Sequence, residues 1–194
     1  MAFIGLRYPV VATVTSHTAG AEPVYGTGKV IGHAIQANLT ITRNDNPLNA
    51  DDRIVEDDNC ITGMSLELVL DDISEEVQAY MLGVVKETGT SSTPDLYLDG
   101  DSGSPAVGVG YIRVRRKAGQ TKYQATWIYK ATFGYTDESA QTKGETIEWQ
   151  TPTITGRAQG VSRTGSGRLD FRARAMFDTE AAAMSWLNTK AGIT

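Results

Sequence analysis

One cysteine, two histidines and six prolines are all that this chain of 194 residues holds of those types. Cys60 has no partner for an internal disulfide, and with only His17 and His33 a Cys/His zinc cage is excluded. No apolar run reaches the ~18 residues of a membrane helix. The opening MAFIGLRYPVVATVT lacks the basic patch and unbroken apolar stretch of a secretory signal. The expectation is a chain made in the cytoplasm and independent of membranes. A net charge of −5 argues against tight wrapping of nucleic acid, which needs many Lys and Arg contacts to phosphate.

Hydrophobic residues at 40% and charged residues at 21% sit near the globular average, and the length suits one domain over 1–194. The charge is blocked. Between residues 45 and 76 eleven acids stand against Arg53 alone, a local charge of −10; between 111 and 174 twelve bases and five acids give +7. Such blocks usually face water. They also make a surface able to dock copy to copy, head to tail, which builds rings or filaments.

Period-two alternation dominates. Ile31, His33, Ile35, Ala37, Leu39 and Ile41 form one face of a strand, and Gln36, Asn38, Thr40 and Thr42 the other. Leu66, Leu68 and Leu70 repeat the pattern, as do Trp127, Tyr129, Ala131 and Phe133, and then Leu169, Phe171, Ala173 and Ala175. The runs 111–117 and 121–133 flank Ala118-Gly119-Gln120 and predict a hairpin. A mainly-β chain follows, a sandwich or barrel. Asp72 as N-cap acceptor and Gly83 as stop predict one flanking helix from about Ile73 to Leu82. A short C-terminal helix starts at Asp178-Thr179-Glu180 and ends at Gly192, with Phe177, Ala181, Met184 and Leu187 on its packing face. Long loops are expected at 44–59 and 87–105, and a shorter one at 136–144.

Two chemistries compete for attention. Gly100-Asp101-Ser102-Gly103-Ser104-Pro105 resembles the nucleophile loop of chymotrypsin-like serine proteases, in which Ser102 would need a histidine base. Only His17, in a turn-like stretch, and His33, on an apolar strand face that suits a core imidazole, are on offer. Only about a hundred residues precede the serine, too few for most of a double barrel, the 92 that follow it exceed the tail expected in that fold, and Gly, Asp, Ser and Pro are turn residues in any case. The acids Asp51, Asp52, Glu56, Asp57 and Asp58 offer oxygen ligands for calcium, as in an adhesion-type β-sandwich, but lack the D-x-[DN]-x-[DN]-G order of an EF-hand. Gly26-Thr27-Gly28 lacks the spacing and strand-to-helix setting of a phosphate loop and reads as a turn. Arg113, Arg115, Arg116 and Lys117 read as a charged hairpin end, without the aromatic interleaving of a nucleic-acid module.

The order of segments carries a resemblance. FIGLRYPVVATV, PVYGTGKVIGHAIQANLTI, NPLNADDRIVEDD and ITGMSLELVLDDISEEVQAYMLG are followed by PAVGVGYIRV, YKATF, TKGETIEWQTPTITG and FDTEAAAMSWL. Taken together they resemble the major tail protein family of long-tailed phages, over nearly the whole chain. The resemblance implies a structural subunit of the virion tail that is made in the bacterial host cytoplasm. It implies rings, usually hexameric, stacked into a tube around a tape measure protein and joined to other tail proteins, with genome DNA passing through the lumen without specific binding. It implies no catalysis and no cofactor. The implied fold is a β-sandwich of tail tube type whose sheet continues between subunits, so that ring closure satisfies the edge strands. The lumen side should be a strand face rich in Thr, Ser, Gln, Asn or acids. Pro47, Leu48, Ala50, Asp51 and Asp52 match the family's turn-plus-acid pattern and are carried over as subunit-interface residues. Asn49 departs from it where an aromatic is usual, and 87–104 shows no family pattern.

Overall fold

The computed structural model describes residues 2–44, 46–50, 53–58, 60–101, 103–134, 151–163 and 167–193, with the backbone alone at 46–50 and 53–58. Its elements are β1 (Ala2–Ser16), β2 (Val24–Tyr25), β3 (Lys29–Val30), β4 (Ala34–Arg43), β5 (Asn46–Ala50), β6 (Arg53–Asp58), β7 (Ile61–Leu70), α1 (Glu75–Leu82), β8 (Val85–Glu87), β9 (Leu96–Leu98), β10 (Ala106–Lys117), β11 (Gln120–Gly134), β12 (Thr153–Ala158), β13 (Arg172–Phe177) and α2 (Glu180–Ala191). The chain is mainly β, as its alternation predicts, and the described strand pairs are antiparallel.

The main sheet runs β2-β1-β10-β11-β12-β7-β4, with β13 added to β11 and β3 to β1. Residues 29–43 tie its two flanks together: Lys29 and Val30 pair with β1, and from Ala34 onward the same stretch pairs with β7. The bend between them is at Gly32, φ +146°, where an added Cβ would sit 2.7 Å from the Asp72 carbonyl oxygen. The sheet therefore curls around an inner cluster that includes Val11, Leu66, Leu68, Val109 and Phe133, to which α1 adds Val77, Met81 and Leu82. A second cluster, with Val10, Ala12, Ile112, Trp127 and Tyr129, lies on the opposite face under Ala183, Leu187 and Ala191 of α2. Val10 and Val11 are both fully buried because each face of β1 has its own cover.

α2 sits close because β10 presents glycines to it. A Cβ at Gly110 would lie 2.7 Å from both Leu187 and the Trp127 ring, and one at Gly108 would lie 2.5 Å from that ring. Thr179 caps α2 by accepting from the Ala182 N–H, and Gly192 ends it in the left-handed conformation. Ala181, expected on the packing face, is exposed; the buried stripe is Ala183, Leu187 and Ala191, spaced four apart. In α1 the N-cap is Ser74 rather than Asp72, and the helix begins at Glu75. The Asp71 carboxylate shapes the preceding turn, accepting from the N–H groups of His33 and Asp72, so the chain reaches helical geometry two residues later.

Three further expectations change. The stripe Trp127, Tyr129, Ala131 and Phe133 is divided between the two clusters. Val107 pairs with Ala131 and Val109 with Ile128, so β11 spends one residue more than β10 over that interval, and the bulge turns the strand's later residues to the other face. His33 is no core imidazole: it is 93% exposed. Ile35 is 55% exposed, because the bend at Gly32 and a register shift between Ala34 and Gln36 break the period before β4 settles into alternation. Finally, 44–59 is no irregular loop. Its described residues form the β5–β6 hairpin, with Pro47 opposite Asp57 and Leu48 opposite Glu56. Within 87–105 a second ribbon forms, β8 paired with β9. The loop expected at 136–144 lies outside the described residues.

Candidate functional site

The alternation of β4 places Gln36, Asn38, Thr40 and Thr42 outward, opposite Ala37, Leu39 and Ile41. Register extends this polar face over four strands. Asn38 pairs with Glu67 and Glu67 with Thr155; Thr40 pairs with Ser65, Ser65 with Arg157 and Arg157 with Thr132. Among the residues so paired, Glu67 and Arg157 carry the charges and offset each other. Asn38 donates to Glu67 Oε1 at 3.2 Å and accepts from Gln36 Nε2 at 3.0 Å, holding the row of amides flat against the strand. Behind it, Gly156 leaves room for the Phe133 ring, which an added Cβ would meet at 2.6 Å.

Among the described residues this face ends at β4, the last strand of the sheet order. Among the described residues β4 pairs on one side only, with β7, and leaves ten residues of strand backbone along its other side. Such an edge is a template for pairing with another chain. A further unpartnered surface is the β8–β9 ribbon. Val85 lies directly opposite Leu98, and with Leu96 these side chains are 56%, 45% and 52% exposed. On the other side of the ribbon Lys86 pairs with Asp95 at 2.7 Å and lies over the Tyr97 ring. A lone two-stranded ribbon is marginal in water, so these apolar side chains gain from a neighbour. Sequence reasoning missed it; the Leu96-Tyr97-Leu98 alternation after Pro94-Asp95 was the available signal.

Of the residues carried over for the interface, Pro47, Leu48 and Ala50 lie in β5, while Asp51 and Asp52, between β5 and β6, lie outside the described residues. The hairpin brings the acids of β6 alongside Pro47 and Leu48 in backbone register. Ser102 also lies outside the described residues. His17 is exposed, and the His33 Nδ1 is 2.9 Å from Asp71 Oδ2. The backbone N–H of His33, followed by that of Asp72 and the imidazole itself, holds the Asp71 carboxyl below the usual carboxylate range. This aspartate is occupied in closing the turn before α1. Among the described residues no three His, Cys, Asp or Glu side chains are grouped to hold a metal ion. Nor is any helix among them long and apolar enough to cross a membrane.

No protein-family model matches the chain, and no curated protein matches it.

Proposed function

We propose that this chain is the structural subunit of a phage tail tube, assembling as stacked rings, hexameric in the usual manner of the family it resembles, around a genome channel. In this reading it carries no catalytic site and no cofactor, its partners are its own copies, a tape measure protein and other tail proteins, and it resides in the virion tail after synthesis in the host cytoplasm. The observation that carries the proposal is the juxtaposition of the ten-residue β4 edge with the polar face of β4, β7 and β12. Edge pairing between copies would extend that face around a ring. A wall of amides and hydroxyls in which a carboxylate offsets a guanidinium gives sliding phosphates little to hold, because binding to DNA strengthens with each cation that contacts the backbone. The order of the sequence segments supports the same reading.

The test is negative-stain microscopy of the purified chain over a concentration series, paired with hydrogen exchange. Hollow tubes or stacked rings are expected, with β4 amides becoming protected as they form. A particle that remains monomeric at every concentration, with β4 exchange unchanged, sinks the proposal.

A further inference from the structure

The sheet formed by β1, β10, β11 and β13 is covered by α2 on one face. Its other face, beyond the inner cluster, carries an excess of positive charge. Register brings Arg113 beside Gln124, and Tyr111 beside Thr126 and Arg174, with Arg172 two positions along opposite Ile128. The Arg113 and Arg115 guanidiniums stack on the Phe3 ring, 4.1 and 5.0 Å from its centre. Arg7, Arg163 and Arg168 each have a carboxylate. Among the described residues Arg113, Arg115, Arg172 and Arg174 have none. Arg113 donates to Gln124 Oε1 at 2.8 Å, yet its Nε, the Nε of Arg115 and the fully buried Thr126 Oγ1 find no hydrogen-bond partner. Burial, then the nearby charges of Arg174 and Arg113, hold the Arg172 guanidinium below its ordinary range. Like charges without a counter-charge are costly, and one carboxylate-bearing strand laid across the four arginines relieves that cost.

We infer that this arginine cradle is an interface that receives the acidic β5–β6 hairpin of a second copy of the chain. Charge complementarity selects the occupant: residues 46–58 hold five acids against Arg53 alone, and Glu56-Asp57-Asp58 lie consecutively on β6. Guanidinium forks match carboxylates two bonds at a time. The groove beside the cradle runs between Ile61 and Met64 of β7 and Leu169, Asp170, Arg172 and Arg174; Asp170 is engaged by Arg163 and Arg168, which leaves Arg172 and Arg174 as the groove's uncompensated charges above an apolar floor. A contact between unlike surfaces of identical chains is heterologous and propagates. The inference therefore rests on the tube reading and specifies one of its contacts.

The test uses two variants of the full chain. A cradle variant carries Arg172→Glu and Arg174→Glu; a hairpin variant carries Glu56→Lys, Asp57→Lys and Asp58→Lys. Alone, each sets like charges against itself, and the concentration for half-assembly is expected to rise at least about tenfold. Mixed in equal amounts they are expected to co-assemble, because each supplies the charge the other lacks. A control carrying Arg116→Glu, on the exposed end of β10, is expected to assemble alone as the parent does. Circular dichroism and melting curves verify folding of each chain. If both variants assemble alone like the parent, the cradle is not a contact, though the tube reading stands. If each loses stability and mixing restores nothing, the hairpin pairs within its own chain and the inference falls. If the cradle variant assembles normally but loses the parent's retention of a short DNA duplex, phosphate is the occupant and the inference is wrong. Should the parent form no tubes, the tube reading fails, and sedimentation of the mixed variants still decides the cradle: a complex supports it and two monomers overturn it.

Discussion

Ala118 sits in the left-handed region, φ +49°, followed by Gly119 at φ +78°, so the hairpin between β10 and β11 is a two-residue turn with both φ values positive. That geometry favours Asn-Gly, and alanine there carries a steric penalty. Ala118→Asn should raise stability by about 0.5–1 kcal/mol, read as a higher urea midpoint at unchanged slope. Gly110 presents the opposite case. Its methyl would meet Leu187 and Trp127 at 2.7 Å, so Gly110→Ala should cost about 1–3 kcal/mol and shift tryptophan emission as α2 is displaced. Tyr25 donates to the Tyr129 carbonyl at 2.8 Å and accepts from Trp127 Nε1 at 3.1 Å. Burial pushes its phenol well above the ordinary 10.0, and burial raises Tyr111 and Tyr129 as well. The unfolded chain loses these protons first, so stability is complete below pH 10 and falls as pH rises beyond it. Melting temperature should drop more steeply between pH 9.5 and 11.5 in the parent than in Tyr25→Phe.

Among elements, β7 was legible from its leucines and β4 from its alternating amides and threonines, because one buried face imposes period two. The β10–β11 hairpin was legible too, since Ala118-Gly119-Gln120 interrupts two apolar runs. Reading failed where backbone geometry intervened without a side-chain signature. The β11 bulge moves Ala131 and Phe133 off the face of Trp127, and no residue there announces an insertion. His33 and Ile35 left the apolar stripe because Gly32 bends the strand. The β5–β6 hairpin escaped because Asn, Pro and Asp are poor strand formers, so cross-strand pairing had to override local preference. The polar face of the candidate site was visible as a composition, but its width over four strands comes from pairings between residues far apart in sequence. The hairpin yields its own test. Asp51→Lys with Asp52→Lys should leave far-ultraviolet dichroism and melting unchanged while tubes grow slowly; normal rate and length would remove the hairpin from the assembly contacts.

For the whole molecule, complementary blocks of charge imply that association weakens with salt, since the screening length falls from about 10 Å at 0.1 M to about 3 Å at 1 M. Sedimentation should show less assembled material at 0.5 M than at 0.05 M sodium chloride, and an unchanged fraction would place the contacts in apolar or backbone pairing instead. Stability is shared between the two ends of the sequence. β1 pairs with β10, Ala2 opposite Arg116 and Thr13 opposite Val107, while Arg7 meets Glu180 at 2.7 Å and Tyr8 donates to Asn188 at 2.8 Å. Contacts of such sequence separation form slowly. β4 and β7 are separated along the chain only by β5 and β6 and can pair once residue 70 has left the ribosome, long before β10 and α2 exist. The β4–β7 pair, with the edge that β4 presents, can thus form ahead of the rest of the sheet. Five acids against Arg53 in residues 46–58 give nascent copies on one messenger like charge beside that edge, which opposes their pairing before the remaining strands arrive.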